Sequence, residues 1–335
     1  MEYPEEIEHG IMFHHFHNEK HQKGPGSISQ EEFEGILNFI GLGRILCPLE
    51  WLERLRENRL TKEHLCLTFD DALLCQFEVA LPVLEKYRLT AFWFVYSSVF
   101  DGRLEKMETY RVFRAKYFQS MDDFYALFFR KVFDSEFSRI ANEVLVEREI
   151  RKQIQLFPFY SVNDVKFRLV RDRALRKQDY ERIMDEMIQE RRVDLGELSK
   201  GLWMSNGHLR DLSSEGHVVG LHSYSHPTVL ANLAYEQQFD EYQKNYLHIK
   251  EICRCAPVTM AHPCDSYNEY TLDILKRLGI VCGFRSNMFP RREGERLNPN
   301  QFEIAREDHA NILKALRVKR RKIGAVSFDC EEGRK

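Results

Sequence analysis

Leu65-Cys66-Leu67-Thr68-Phe69-Asp70-Asp71 is an apolar run that ends in two adjacent carboxylates. Its length and composition suit a buried strand. At a strand's end the backbone turns, so two consecutive side chains can address one cavity. One carboxylate can then hold a cation while the other takes a proton. The same form recurs downstream, where the apolar run His217-Val218-Val219-Gly220-Leu221 closes on His222-Ser223-Tyr224-Ser225-His226, two imidazoles four positions apart. Alone, Asp-Asp reads as a solvated turn and His-x-x-x-His as two neighbours on a helix face. Both motifs, however, close a strand-like segment that a helix-like stretch follows, and this common setting favours one shared hydrolytic metal site.

Outward from Asp70 the chain alternates. Gly10 to Phe16 reads as a strand, Gly24-Pro25-Gly26 as a loop, and Ser29 with Glu32 as a capping box opening a helix that carries Phe33, Ile36, Leu37 and Ile40. A short helix around Trp51 precedes the Asp70 strand. A helix with Phe77, Leu81, Leu84 and Tyr87 follows it, and Ala91 to Tyr96 is an aromatic strand. Strand–helix alternation predicts parallel pairing and an α/β architecture. The rhythm stops over residues 101–200, which are dense in charge of both signs and hold aromatic-rich helical pieces at Phe113 to Phe133 and Tyr180 to Val193. This stretch reads as a helical insertion. Its run of Lys166, Arg168, Arg171, Arg173, Arg176 and Lys177 faces only Asp172, and is either a solvated helix surface or a clamp for phosphate.

After the insertion the alternation resumes over 201–320. Ser205 caps a helix with Leu209 and Leu212, and the His217 to Leu221 strand follows. Tyr235, Phe239, Tyr242, Tyr246 and Ile249 mark one helical face, and Pro257 to Ala261 is a strand. Glu269 to Leu278 reads as a helix, Ile280 to Phe284 as a strand, and a last helix runs from about Asp308 to Leu316; 321–335 is a basic, irregular tail.

With 335 residues, 43% of them hydrophobic, the chain can bury a large core, and it holds nothing near the roughly 18 apolar residues of a membrane span. The acidic start, Met1 to Glu8, has no signal core. Eight cysteines without framework spacing fit a reducing compartment, so the expectation is a cytoplasmic protein. A net charge of -3 gives no general pull toward nucleic acid. Cys253, Cys255, His262 and Cys264 match no standard zinc knuckle and read as free thiols and a separate histidine.

Thr68-Phe69-Asp70-Asp71 and His222-Ser223-Tyr224-Ser225-His226-Pro227 resemble the first two motifs of the polysaccharide deacetylases, the fourth family of carbohydrate esterases. Met12-Phe13-His14, Leu209 to Gly216, and Ala261-His262-Pro263 through Gly279 are similar to further segments of that family. The resemblance implies a distorted, incomplete (β/α) barrel of about seven parallel strands, formed by 1–100 and 201–320 around the insertion. It also implies Asp70 as general base, with Asp71, His222 and His226 as ligands of one divalent ion: Zn2+ first, with Co2+, Mn2+ or Ni2+ as alternatives. Such an ion activates water and polarises an amide carbonyl. Ser223 or Ser225 then either steadies an imidazole or serves the turn.

The chain departs from the family pattern at three places. Ala72 replaces the usual Gly after the Asp pair, and its backbone is expected in a region open to L-residues. Ala261 stands where an Arg normally pairs with the catalytic Asp; Arg285 is the expected replacement, with Arg306 behind it. The family's acid histidine is not recognisable, and His309 and His14 are the candidates. His262, at the same rim, and Arg306 are the expected substrate contacts. The expected function is removal of an N-acetyl group from an amino sugar or glycan, carried on a nucleotide or lipid phosphate or not yet exported, as in surface-polysaccharide assembly. Two alternatives stay open: an amidase for another small acyl group, and a catalytically inactive relative that binds sugar or a partner.

Overall fold

The computed structural model describes residues 7–156, 160–291 and 294–318. Seven short strands form its sheet: β1 (His9–Phe13), β2 (Leu65–Asp70), β3 (Phe92–Val95), β4 (Val218–Leu221), β5 (Thr259–Ala261), β6 (Cys282–Phe284) and β7 (Arg306–Asp308). All pairings are parallel, in the order β6-β5-β4-β3-β2-β1-β7. The two edges then approach one another. Phe284 bridges Ile304, just before β7, and the Gly283 and Arg285 amides donate to Gln301 O at 2.8 Å and Ile304 O at 2.7 Å. The sheet is thus a nearly closed barrel, the incomplete (β/α) barrel expected. Gly283 makes this closure feasible, since a Cβ there would lie 2.7 Å from Phe302 O.

Parallel strands covered on both faces should be apolar throughout. β1, β2 and β3 are buried along their whole length. One face of β2 sends Leu65, Leu67 and Phe69 to the helix-covered core, which also holds Phe33, Ile36, Val83 and Leu84. Alternation turns Cys66, Thr68 and Asp70 the other way, and Cys66 joins Phe92, Phe94, Ala261 and Phe284 in a second cluster. Asp70 therefore ends β2 pointing into the barrel mouth. Because every strand is parallel, the residues after each one, His14, Asp71, Tyr96, His222, His262, Arg285 and His309, share one rim, where (β/α) barrels build their sites.

Helices from Lys106–Lys116 to Leu195–Ser199 fill the interruption and gather around their own core of Tyr110, Phe113, Phe124, Phe128, Phe167 and Met184. This body is tied to the rim. His15 Nε2 lies 2.9 Å from Glu108, and the returning segment meets the Asp pair's own loop through Leu74 N to Leu202 O at 2.8 Å and Met204 N to Ala72 O at 2.9 Å.

Three differences from the sequence reading matter. The first strand ends at Phe13, which puts His14 on the rim loop. β7 lay hidden because it is three residues long and charged, Arg306-Glu307-Asp308, with no apolar pattern to reveal it; the last helix starts at 309. The tail at 321–335 lies outside the described residues. Among the described residues no helix is long and apolar enough to cross a membrane.

Candidate active site

Asp71 Oδ1 lies 3.5 Å from His222 Nε2 and 3.4 Å from His226 Nε2, and all three residues are buried. These gaps are too long for hydrogen bonds, and Asp71 Oδ1 has no hydrogen-bond partner. A buried carboxylate oxygen left bare is costly unless something else neutralises it. Ligand atoms at about 2.1 Å from a tetrahedral cation stand about 3.4 Å apart, so the spacing fits a divalent ion. The donor set, two imidazoles and one carboxylate, suits Zn2+ and its neighbours. Among the described residues this is the one such cluster of three or more metal-binding groups. His222 Nδ1 sits 2.8 Å from the Ala261 carbonyl, which calls for an N–H there and leaves the Nε2 lone pair facing Asp71. Burial holds His226 down to about 4, so its imidazole is neutral and able to ligate. Burial alone would raise the Asp71 pKa, but the surrounding histidines outweigh it and keep the carboxylate ionised.

The histidine loop bends sharply: Ser223 and His226 sit at φ 64 and 50. Helix Tyr235–Cys253 imposes that shape. Asn245 Oδ1 accepts the His222 amide at 2.9 Å, while its Nδ2 donates to Val95 O at 2.9 Å and Ser97 Oγ at 2.6 Å. One turn earlier, Glu241 accepts from the amides of Tyr224 and Ser225 at 3.0 and 2.7 Å and from the Ser225 hydroxyl at 2.7 Å. Ser223 Oγ accepts the His226 amide at 3.1 Å. Both serines therefore shape the loop and neither holds an imidazole nitrogen. Sequence reasoning missed Glu241 and Asn245. A signal existed for Asn245, which is fully buried in the apolar stripe between Tyr242 and Ile249.

Asp70 is held by the second of its two expected partners, not the first. Arg306 from β7 grips it with both prongs, Nη1 to Oδ1 and Nη2 to Oδ2 each 2.7 Å. Both side chains are buried, at 0% and 2% exposure. Arg306 Nη1 also reaches Thr68 Oγ1 at 3.1 Å and its Nε the Arg285 carbonyl at 2.5 Å. Gly10 leaves room for the arginine stem, since a Cβ there would stand 3.0 Å from Arg306 Cγ. Burial pushes the Asp70 pKa up, and the Arg306 charge with His222 more than offsets it, so Asp70 lies below its usual value. Gln76, opening a π-helical turn, donates to the Asp70 and His14 carbonyls at 2.6 and 2.7 Å.

Arg285, the first choice from sequence, does not reach Asp70. Its guanidinium donates to Asn287 Oδ1, Phe289 O and Leu297 O, beyond the barrel seam, and only its carbonyl meets Arg306. Arg306, enclosed at the barrel centre, cannot touch substrate as expected. His262 is likewise fully buried, with Nε2 2.9 Å from Phe302 O across the seam and its ring stacked on Tyr267 at 3.9 Å, which removes it as a substrate contact. His309 stacks on Phe13 at 5.6 Å, and its ring nitrogens face Met12 O and Gly26 O at 3.2 and 3.0 Å, on the far side of β1 from the carboxylates. His14 does join the site: Nε2 lies 3.8 Å from Asp70 Oδ2 and 3.9 Å from Asp71 Oδ2, with 27% of the side chain exposed. Tyr96 completes the wall, its ring 5.3 Å from His226 and its hydroxyl accepting from Trp203 Nε1 at 2.6 Å. Ala72 sits in the left-handed region at φ 54, next to Asp71 at φ 79, rather than where L-residues are comfortable.

The sequence profile of the polysaccharide deacetylase family matches residues 185–283, a span that includes the histidine loop but neither Asp70-Asp71 nor Arg306. No curated protein matches the chain in sequence. Among solved structures, the Streptococcus pyogenes deacetylase PplD, in complex with acetate, superposes with TM-score 0.53 at 16% identity, covering 93% of this chain and 99% of that one. IcaB from Ammonifex degensii gives 0.51 at 16% identity over 90% and 91% of the two chains. A de-N-acetylase from Aggregatibacter actinomycetemcomitans gives 0.51 at 12% identity over 92% and 99%. At these identities the structures share the fold. Profile and fold together bear out the resemblance to polysaccharide deacetylases read from the motifs.

Proposed function

We propose that this chain is a metal-dependent hydrolase that removes an N-acetyl group from an amino sugar or glycan, with Asp71, His222 and His226 holding the ion and Asp70 as base. One observation carries the reading. A donor set spaced for a divalent cation lies beside a carboxylate held ionised by a bidentate arginine.

When bound, the ion lowers the pKa of water toward about 7 and polarises the amide carbonyl. Asp70 accepts the proton from the attacking water. Each carboxylate oxygen has two lone pairs, so pairing with Arg306 still leaves acceptor capacity toward the mouth. Arg306 trades basicity for certainty: it weakens Asp70 as a base but keeps it charged and oriented. His14, at the open edge near both carboxylates, passes a proton to the departing amine as the C–N bond breaks. A C–O bond from water has formed, and acetate and the free amine leave.

Ala261 alone favours an inactive relative, because the family arginine is missing there; the Arg306 pair supports an active enzyme instead. The test is acetate release from N-acetylglucosamine oligomers by the purified chain. Activity should vanish on chelation and return with Zn2+, and N-formyl sugars should be poorer substrates. Activity that survives chelation would sink the metal reading.

A further inference from the structure

The ring of His14 makes no hydrogen bond among the described residues, and its nearest charged neighbours are the two carboxylate oxygens at 3.8 and 3.9 Å. Its aim must come from its backbone and the groups packed around it. From one side Gln76 Nε2 donates to the His14 carbonyl at 2.7 Å, and the same nitrogen donates to the Asp70 carbonyl at 2.6 Å. One amide group thus spaces the proposed acid from the proposed base. The other side is held by His15. The two imidazoles lie nearly parallel, with 16° between their planes and 6.0 Å between their centres. His15 Nε2 in turn lies 2.9 Å from Glu108 Oε2, 93 positions away in the chain.

An acidic side chain in the first turn of a helix usually serves that helix, by closing a capping box or facing the dipole. In helix Lys106–Lys116 the cap is supplied by Glu105, whose carboxylate accepts from the amides of Met107 and Glu108 at 2.9 and 2.8 Å. The Glu108 carboxylate is turned into the loop after β1 and is only 7% exposed. A carboxylate buried there is costly without a donor, and the His15 ring supplies one. Burial, with the charge of Arg111 adding to it, pulls the His15 imidazole down to about 4, so the ring is neutral and Nε2 carries its one proton toward Glu108. Further along the same helix Arg111 donates to Pro25 O, and Ala115 O accepts from Gln22 Nε2 at 3.3 Å. Ile28 N reaches His15 O at 3.1 Å. The loop that carries His14 is therefore strapped along this helix.

We propose that Glu108 and His15 are positioning residues for His14, so that the first helix of the segment interrupting the barrel aims the proton donor at the two carboxylates. This rests on the reading of His14 as the acid and deepens it. A misplacement of about 1 Å caused far from the chemistry can cost about 10²-fold in rate. A bond that aims His14 therefore matters without touching substrate.

The test has two arms. In the metal-loaded full chain, with N-acetylglucosamine oligomers as substrate, Glu108→Leu should lower kcat about 10- to 100-fold at unchanged KM and unchanged metal content. Glu108→Gln, whose amide oxygen still accepts from Nε2, should keep most of kcat. Placed in a His14→Gln background, Glu108→Leu should cost nothing more, because it acts through a ring no longer there. His15→Phe keeps a flat ring without the N–H and should reproduce Glu108→Leu; it takes over if that variant does not fold. The second arm needs no turnover. In the metal-free chain the His14 ring C–H resonances should move in Glu108→Leu and in His15→Phe, while those of His222 and His226 stay in place. Unmoved His14 resonances overturn the positioning role. So does a Glu108→Leu loss that is equal with and without His14, or absent while His14→Gln is impaired. Moved His14 resonances with kcat unaffected in every variant, His14→Gln included, support the positioning and overturn the reading of His14 as the acid.

Discussion

Two strand ends meet at the candidate site, and they are secured in opposite ways. The histidine loop after β4 is held by one nearby helix: Asn245 takes the His222 amide from 23 positions away and Glu241 the Ser225 amide from 16. The carboxylate end of β2 is held by a guanidinium 236 positions away. Local hydrogen bonds fix the direction of a neutral ligand, which needs position and no charge. A buried base must be kept ionised as well as placed, and only an opposite charge does both. In a barrel that charge can come from the strand that closes the ring.

The largest effect should follow from removing that charge. Arg306→Met leaves Asp70 ionised and unpaired in the barrel centre, which costs about 3–5 kcal/mol. The pH dependence gives its signature. In the wild type the Asp70 pKa is depressed, so the pair's stabilisation is present above the unfolded carboxylate value and fades as pH falls through the folded one. In Arg306→Met burial is opposed only by the neighbouring His222 and His14, so the pKa rises and acid should relieve part of the deficit. Denaturant unfolding at neutral and acidic pH measures this, and an equal deficit at both would show that the arginine does not control the charge of Asp70. The acid limb of kcat/KM should move to higher pH in parallel.

His14 stands near both ends, so its loss should separate chemistry from metal binding. His14→Gln should lower kcat by about 10²–10⁴-fold, the usual scale for a general acid, with metal content unchanged. A fall in KM-dependent terms alone would assign His14 to substrate binding instead. On the other side of the comparison, Asn245→Ala should weaken metal affinity by about 10–100-fold, as loss of a supporting contact to a ligand does, while kcat at saturating metal changes little. Chelator competition reads the affinity. The smallest effect belongs to Ala72→Gly, which should raise stability by about 1 kcal/mol by relieving the left-handed backbone at φ 54.

The comparison also explains which parts of the molecule could be read in advance. The parallel barrel, the run of helices that interrupts it and the closeness of Asp71, His222 and His226 follow from patterns within short windows: apolar runs, a Ser29–Glu32 capping box observed as such, and motifs closing strands. Arg306 was named as second to Arg285, because both follow strand-like segments and nothing local tells which one turns inward. That choice is settled by closure: β7 pairs with β1 at Gly10 and Met12, which carries Arg306 under the mouth, while Arg285 exits across the seam. His309 and His262 misled for a similar reason. A histidine just past a strand lies on the rim, but whether it faces the mouth or the packed seam depends on neighbours far away in sequence. Asn245 was legible as a polar residue in an apolar stripe; Glu241 was not, since an exposed-looking glutamate on a helix ordinarily does nothing.

The central claim is the division of labour between two adjacent carboxylates, and metal content measured beside acetate release in Asp70→Asn and Asp71→Ala tests it most directly. The account predicts one divalent ion per chain and no acetate release for Asp70→Asn, and no ion for Asp71→Ala. An Asp70→Asn variant that loses the ion, or one that still releases acetate at the wild-type rate, would contradict it.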